Sequence, residues 1–364
     1  MQHPRLARRF VLPVLALASN VCAAEAQQAV DFYGLLNPGV LSVDDGVETT
    51  TAFGNNSHAG SRIGVKVTNE VRGGSLLFNF ETGLGFRGLA GVDQDAEPDF
   101  WDWEPKNIRK FEFIYSSDWG KVYLGQGSMA TDGTATVDQS GTDGVGYVAV
   151  ADMAGSFLFR NGGGDLTGIS VGDGFQTLDS GRRFRLRYDT PSFSGLTLAA
   201  SYGERVTVDD DRTYYDLAAY YDHTLGELDV RAGLGLGFID DPDGPNREDL
   251  SGSVSMLHSP TGLSLTLAGG AQQKGDASYG YIKAGYQRQL ISAGMTALSI
   301  DYYAGDSFVT KGDSSDAVGF QVAQSFDDQN ITAYLAYRSH SYDDDSATSY
   351  RDMDAWLLGL KWNF

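Results

Sequence analysis

Cysteine is almost absent from this chain: of 364 residues only Cys22 carries a thiol, and it lies in an N-terminal segment that reads as an export signal. With that segment removed, neither disulfides nor thiolate metal sites can support the fold. Histidine is nearly as scarce. Beyond the signal only His58, His223, His258 and His340 remain, near expected strand ends or loops. No Gly-x-Ser-x-Gly or His-Glu-x-x-His pattern accompanies them, so the expectation is no catalytic residue, no enzyme activity, no metal and no cofactor. Long apolar runs are missing too: past the signal no 18 successive apolar residues occur, which excludes a transmembrane helix. Basic residues number 27 against 48 acidic ones. A formal charge of −21 excludes nucleic-acid binding, which depends on Lys and Arg neutralising phosphates.

The signal itself has the three expected parts. Arg5, Arg8 and Arg9 form a positive start, Phe10 to Ala18 an apolar core, and Ala24-Glu25-Ala26 a small-residue cleavage site. The apolar core is about half the ~20 residues a spanning helix needs. Cleavage after Val21-Cys22-Ala23 is the alternative. A lipoprotein reading of Cys22 is disfavoured because Ser19-Asn20-Val21 is not the usual preceding run. The expectation is therefore a signal peptide over 1–26 and a single domain over 27–364. Removing the signal takes away three arginines and one glutamate and moves the formal charge from −21 to −23. Such a surface could concentrate cations.

What the chain has in excess is glycine (46) and aromatic side chains, with 19 Tyr and 19 Phe. These sit in a pattern of period two. Trp356, Leu358, Leu360, Trp362 and Phe364 share one face, opposite Leu357, Gly359, Lys361 and Asn363. Phe184, Leu186 and Tyr188 alternate with Arg183, Arg185, Arg187 and Asp189; Ile63, Val65 and Val67 alternate with Arg62, Gly64, Lys66 and Thr68. From Leu76 onward Phe78, Phe80, Leu84 and Phe86 oppose Asn79, Glu81, Gly83 and Gly85. Sixteen strands follow, near 30–42, 59–70, 75–86, 107–117, 120–127, 182–190, 195–205, 213–223, 227–239, 249–258, 262–272, 279–289, 295–305, 316–325, 329–340 and 354–364.

Short links such as Arg72-Gly73-Gly74 and Gly226-Glu227 alternate with longer acidic ones such as 240–249 and 341–352. An even number of strands with tight turns at one end and long loops at the other is the pattern of a closed transmembrane antiparallel β-barrel. It is an all-β fold in which only alternate residues meet lipid. A soluble β-sandwich, whose apolar face would be core, is the competing reading. Aromatic pairs at strand ends (Tyr220 and Tyr221, Tyr302 and Tyr303, Trp356 and Trp362) favour the barrel as interfacial girdles. About fifty residues rich in Gly and Asp separate Ser128 from Arg182. So long a link is the natural candidate to fold inward and narrow a pore.

Several anchors resemble the general diffusion porins of Gram-negative outer membranes, in family order. They are Asp31-Phe32-Tyr33-Gly34, Ser61-Arg62-Ile63-Gly64-Val65-Lys66, Phe80-Glu81-Thr82-Gly83, the run from Asp118 to Gly125, the hairpin from Arg187 to Gly195, and terminal Lys361-Trp362-Asn363-Phe364. The resemblance implies a sixteen-stranded barrel with an inward third loop. It also implies a homotrimer in the outer membrane, in contact with lipid and lipopolysaccharide and passing small hydrophilic solutes by diffusion. Phe364 would be read by the barrel-assembly machinery. Basic wall residues would face acidic residues of the third loop across an eyelet. Arg62 matches a wall arginine. Arg109 aligns with a second, but shares its parity with Phe111, Phe113 and Tyr115; Lys110 with Glu112 is the alternative lumen pair. Gln126 stands where the family often has arginine, and the Pro-Glu-Phe-Gly-Gly loop motif is absent.

Arg183, Arg185 and Arg187 share a face at a spacing of about 7 Å. They form either a basic ladder beside a pore or structural ion pairs; on a lipid face each would cost roughly 2–4 kcal/mol. Glu81 is expected to bridge to Arg62 or Lys66. Asp132, Asp138, Asp143 and Asp152 are the loop carboxylates available to an eyelet. The runs Asp209-Asp210-Asp211, Asp240-Asp241-Pro242-Asp243 and Asp343-Asp344-Asp345 lack EF-hand spacing and read as solvated loop tips, with Ca²⁺ or Mg²⁺ binding that bridges lipid phosphates as the alternative. A substrate-selective channel and a non-conducting structural or adhesive barrel are the alternatives on the same fold.

Overall fold

The computed structural model describes residues 29–364; the expected signal peptide, Cys22 and both candidate cleavage sites lie outside the described residues. Eighteen segments pair into one closed sheet. The first two barrel strands are each broken midway, so the segments make sixteen antiparallel strands. The first strand is Ala29–Leu36 plus Pro38–Asp44, and the second is Thr49–Asn55 plus Arg62–Val71. The third to sixth are Gly74–Gly83, Ile108–Ser117, Gly120–Ser128 and Arg182–Asp189. The seventh to eleventh are Leu196–Glu204, Thr213–Leu225, Leu228–Asp240, Arg247–His258 and Leu263–Gln272. The last five are Ser278–Ile291, Gly294–Asp306, Ser314–Phe326, Ile331–Asp343 and Met353–Asn363. The ring closes where the first strand pairs with the last, from Gly39 opposite Gly359 to Asp44 opposite Asp354.

The apolar face points outward. Phe184, Leu186, Leu263, Leu265, Leu267, Ile300, Leu358 and Leu360 are all exposed large hydrophobics. A sandwich would have buried them; here they form the surface for lipid, and the sandwich reading falls.

The sequence reading began the second strand near 59, whereas the chain enters it at Thr49. The interruption is a one-turn 3-10 helix, Ser57–Ala59, that uses asparagines to satisfy the freed backbone. Asn37 donates to the carbonyl of Ala59 (2.9 Å) and accepts from Tyr334 (2.7 Å), and its own N–H donates to Ser61 (2.8 Å). The third strand stops at Gly83, so Leu84 and Phe86 belong to the following loop rather than to a strand face. Gly85 holds a left-handed φ of +75° there, and Phe86 makes only an isolated bridge to Trp101.

The link 129–181 folds into the barrel as a small structured body. It carries a 3-10 turn (Val150–Met153), a hairpin (Leu158–Arg160 with Leu166–Ser170) and a helical turn (Val171–Gly174). Val145, Val148, Met153, Phe157, Phe159 and Phe175 bury themselves against Tyr279, Tyr303, Ala317, Tyr334, Tyr342 and Leu357 on the inner wall. The lumen therefore contains an apolar core on the side of the twelfth to sixteenth strands.

The first part of this loop is stitched to the wall strand by strand. Ala130 N–H donates to Ser201, Thr131 Oγ1 to Asp216, Val137 N–H to Ser253 and Gln139 N–H to Ser255, at 2.7–3.0 Å. Gly233 and Gly235 make room for it: a Cβ there would lie 2.9 Å from Thr134 Cα and 2.6 Å from Thr131 Cγ2. Many of the small inward residues form the seat of the third loop.

Candidate functional site

The open side of the lumen is walled by the second to sixth strands, and its cations come from three sources. The first is a β-bulge. Glu81 pairs with Lys110 and Thr82 with Ile108, leaving Arg109 as the extra residue. The bulge lets Arg109 reach Glu81 (Nε to Oε1, 2.6 Å) while Phe111 and Phe113 stay on the exposed outer face. Period two had made Arg109 and Lys110 rival inward residues. The bulge brings Arg109 to Glu81, and Lys110 keeps the parity of buried Glu112.

Glu81 is the hub of this patch. It takes Arg109, holds Arg62 at 3.8 Å and accepts from Tyr33 (3.0 Å), whose ring lies under Lys66 (4.8 Å). One carboxylate thus serves two arginines.

The second source is the Arg183–Arg185–Arg187 ladder, which divides. Arg185 is buried against Glu112 and donates to the carbonyls of Gly125 (2.7 Å) and Ser128 (3.0 Å). Arg187 is paired with Asp189 (2.7 Å) and donates to the carbonyl of Met129 (2.7 Å). Both hold the start of the third loop. Arg183 instead lies over the ring of Tyr214 at 4.1 Å, with no carboxylate in salt-bridge range among the described residues.

The third source escaped the sequence reading: Arg182, Arg205 and Lys106. They join Arg109 and Arg183 around a cavity of about 390 Å³ that also takes in Asn55, Ser61, Asn107 and Thr207 and has no carboxylate in its lining. A neighbouring cavity shares Arg183 and Arg205 and adds Arg212 and Arg247, with Asp179 and Asp249 as its acids. Lys106 sits on a loop, where parity says nothing, and Arg205, the last residue of the expected strand 195–205, lies just past the strand's end at Glu204. Arg182 is the first residue of its strand.

The loop carboxylates are scattered. Asp138 is buried with Lys283 (2.7 Å), beneath the loop. Asp152 accepts from Tyr147 (3.0 Å), and burial pushes it up to about 6 against that bond. Asp143 is exposed, next to Gly144, whose neighbour is Lys361 Nζ. Of these four only Asp132 lies towards Arg182; it also acts on Asp179, a loop carboxylate that the sequence does not single out. Thr177 (2.7 Å) and the N–H of Gly133 (3.2 Å) donate to Asp179. Burial nevertheless pushes it up to about 7, and the charge of Asp132 adds to the rise. Leu178, held at φ +58°, sets the turn that presents it.

The outer rim ties three loops together. Arg160 pairs with Asp45 (2.7 Å) and with Glu48, and Arg351 donates to the carbonyls of Gly46 (2.7 Å) and Gly162 (3.1 Å). His58 bonds to Asn56, His258 to Thr261 and His340 to the carbonyl of Val150.

The sequence matches the family described as Gram-negative porin over residues 12–356. The anion-selective porin from Comamonas acidovorans has a similar structure, with a TM-score of 0.62 at 16% identity over 93% of this chain and 100% of that one. The outer membrane channel DcaP of Acinetobacter baumannii gives 0.58 at 9% identity, covering 93% and 97%. OmpT of Vibrio cholerae in its trimer form gives 0.57 at 15%, covering 93% and 99%. At such identities the likeness is one of fold. No curated protein matches the sequence.

Proposed function

The chain belongs to the family of Gram-negative porins, and from that premise we propose that it is a diffusion channel with a preference for small hydrophilic anions. It is an outer-membrane β-barrel channel for passive diffusion. The preference rests on one observation: the cavity of about 390 Å³ on the lumen gathers Lys106, Arg109, Arg182, Arg183 and Arg205 with no carboxylate in its lining, and Arg182 and Arg183 have no salt-bridge partner among the described residues. The excess acid of the chain opposes this only from a distance. Fixed charges in a narrow, low-dielectric passage focus their field there, whereas charges on outer loops are screened beyond about 10 Å of salt solution.

Residues 1–26 are the export signal in this reading and 27–364 the working barrel. The channel assembles as a homotrimer, a reading supported by the trimer form of OmpT from Vibrio cholerae. Phe364 is the residue the barrel-assembly machinery engages, and the exposed apolar belt faces outer-membrane lipid and lipopolysaccharide. Arg62, Lys66, Arg109, Lys110 and Arg183 act as the basic pore wall, with Glu81 and Asp132 as the acids that modulate it. The barrel works without catalysis.

The test is the reversal potential of the refolded protein in a planar bilayer under a KCl gradient. A potential on the chloride side supports the reading. One on the potassium side, or folded protein that never conducts, sinks it.

A further inference from the structure

The two lumen cavities share Arg183 and Arg205. Nearly every cation in them already has a carboxylate. Arg109 has Glu81, Lys106 has Glu104, Arg205 and Arg212 share Asp210, and Arg247 has Asp249. The exceptions are Arg182 and Arg183, which have no salt-bridge partner among the described residues. Arg183 is only 8% exposed. Its Nη1 donates to the carbonyl of Arg182 (2.7 Å), and its Nε is buried with no acceptor.

A guanidinium taken out of water carries a desolvation cost that a nearby anion normally offsets. Tyr214 supplies a π-face at 4.1 Å, but no full counter-charge. Arg183 is in this condition at the wall common to two cavities, and Arg182, part-buried and also without a carboxylate, lines the first of them; together they lack the one component that a permeating solute can bring. Guanidinium forks recognise carboxylate, sulfate and phosphate oxygens through paired N–H donors, whereas a halide offers a single point charge.

We propose that Arg182 and Arg183 form a binding station for a small multivalent oxyanion inside the pore, so that passage of such solutes saturates. The station rests on the anion-preferring reading, because a cation-selective lumen would exclude its ligand.

Sulfate is the probe, since it stays doubly charged across the working pH range. Potassium sulfate is titrated against single-channel KCl current at constant ionic strength, with nitrate as the monovalent comparison. The expected result is a saturable reduction of the current by sulfate and none by nitrate. Arg183→Gln should raise the half-blocking sulfate concentration roughly tenfold or more, the loss of one charge-assisted pair. Arg183→Lys, which keeps the charge and loses the fork, should fall between. If Arg183→Gln fails to fold, Arg182→Gln on the half-exposed neighbour gives the same readout. Equal effects of sulfate and nitrate on the wild type, or an unchanged half-block in the folded variants, would overturn the station while a chloride-side reversal potential left the anion preference standing. A potassium-side potential overturns both.

Discussion

The ring of Phe364 covers the Cα of Gly34 so closely that a Cβ at position 34 would fall inside the van der Waals surface of the ring. The two residues also exchange backbone hydrogen bonds, Gly34 N–H to the Phe364 carbonyl at 2.8 Å and the reverse at 3.1 Å. This pair is part of the seam where the first and last strands close the barrel, so the terminal aromatic has a structural task besides any part in assembly. Gly34→Val should force the ring off its seat at a cost of about 1–3 kcal/mol, the usual range for overpacking. Urea unfolding of the vesicle-refolded protein, followed by heat-modifiable gel mobility, should show an earlier midpoint. An unchanged midpoint would mean that the seam does not depend on this contact.

Lys283 and Asp138 pin the third loop from beneath, and both side chains are almost wholly buried. Removing one partner leaves the other buried and charged. Lys283→Met is therefore expected to destabilise by about 3–5 kcal/mol. The double variant Lys283→Met/Asp138→Leu should recover much of that loss, since two apolar groups need no counter-charge. The same urea assay on the single and double variants decides it. Equal losses in both would mean the pair is not what holds the loop.

Period two is a local property of the chain, so the barrel strands and their outward faces could be read directly from alternation. The exceptions are places where alternation breaks or says nothing. Thr49–Asn55 alternates only weakly and is cut off by Asn55-Asn56, so its sequence reads as loop. The bulge at Arg109 shifts one residue and cannot be seen without the partner strand, which left Arg109 and Lys110 as equals. The seat of the third loop was hidden for another reason. Ser251, Ser253, Ser255, Gly233 and Gly235 look like residues facing water, and only the folded loop reveals what they hold. Arg205 ends the expected strand 195–205 on the parity of Ala199, Ser201 and Gly203, but the strand stops at Glu204, so alternation does not place its side chain. The loop acids were visible as residues, but their burial depends on long-range packing: Asp138 lies under the loop, Asp152 beside Tyr147.

Because Glu81 neutralises both Arg62 and Arg109, its removal should strengthen the basic wall. Glu81→Gln keeps the size and the acceptor for Tyr33 while deleting the charge. In this variant the reversal potential under a KCl gradient should move further to the chloride side. Two arginines without a shared carboxylate also repel each other, so a modest loss of stability should accompany the change. A shift to the potassium side would mean that these arginines do not face the conducting path.

Asp179 should make the selectivity depend on pH. Its carboxyl, pushed up to about 7, shares a cavity with Arg183, Arg205, Arg212 and Arg247. Below pH 7 it is largely neutral and the arginines act unopposed; above pH 7 it adds a negative charge among them. Anion preference should accordingly be greater at pH 5.5 than at pH 8.5. The stability effect has the same direction. The unfolded carboxyl loses its proton near pH 3.9, so between about 3.9 and 7 the folded state binds more protons than the unfolded one. Stability therefore falls as pH rises through that window. Asp179→Asn keeps the neutral form at every pH: its reversal potential should stay flat from pH 5.5 to 8.5, near the acid value of the wild type. Asp152, pushed up to about 6 beside Tyr147, titrates lower in the same range. A residual pH dependence in Asp179→Asn centred near 6 would point to Asp152, whereas an unaltered dependence centred near 7 would remove Asp179 from the pore.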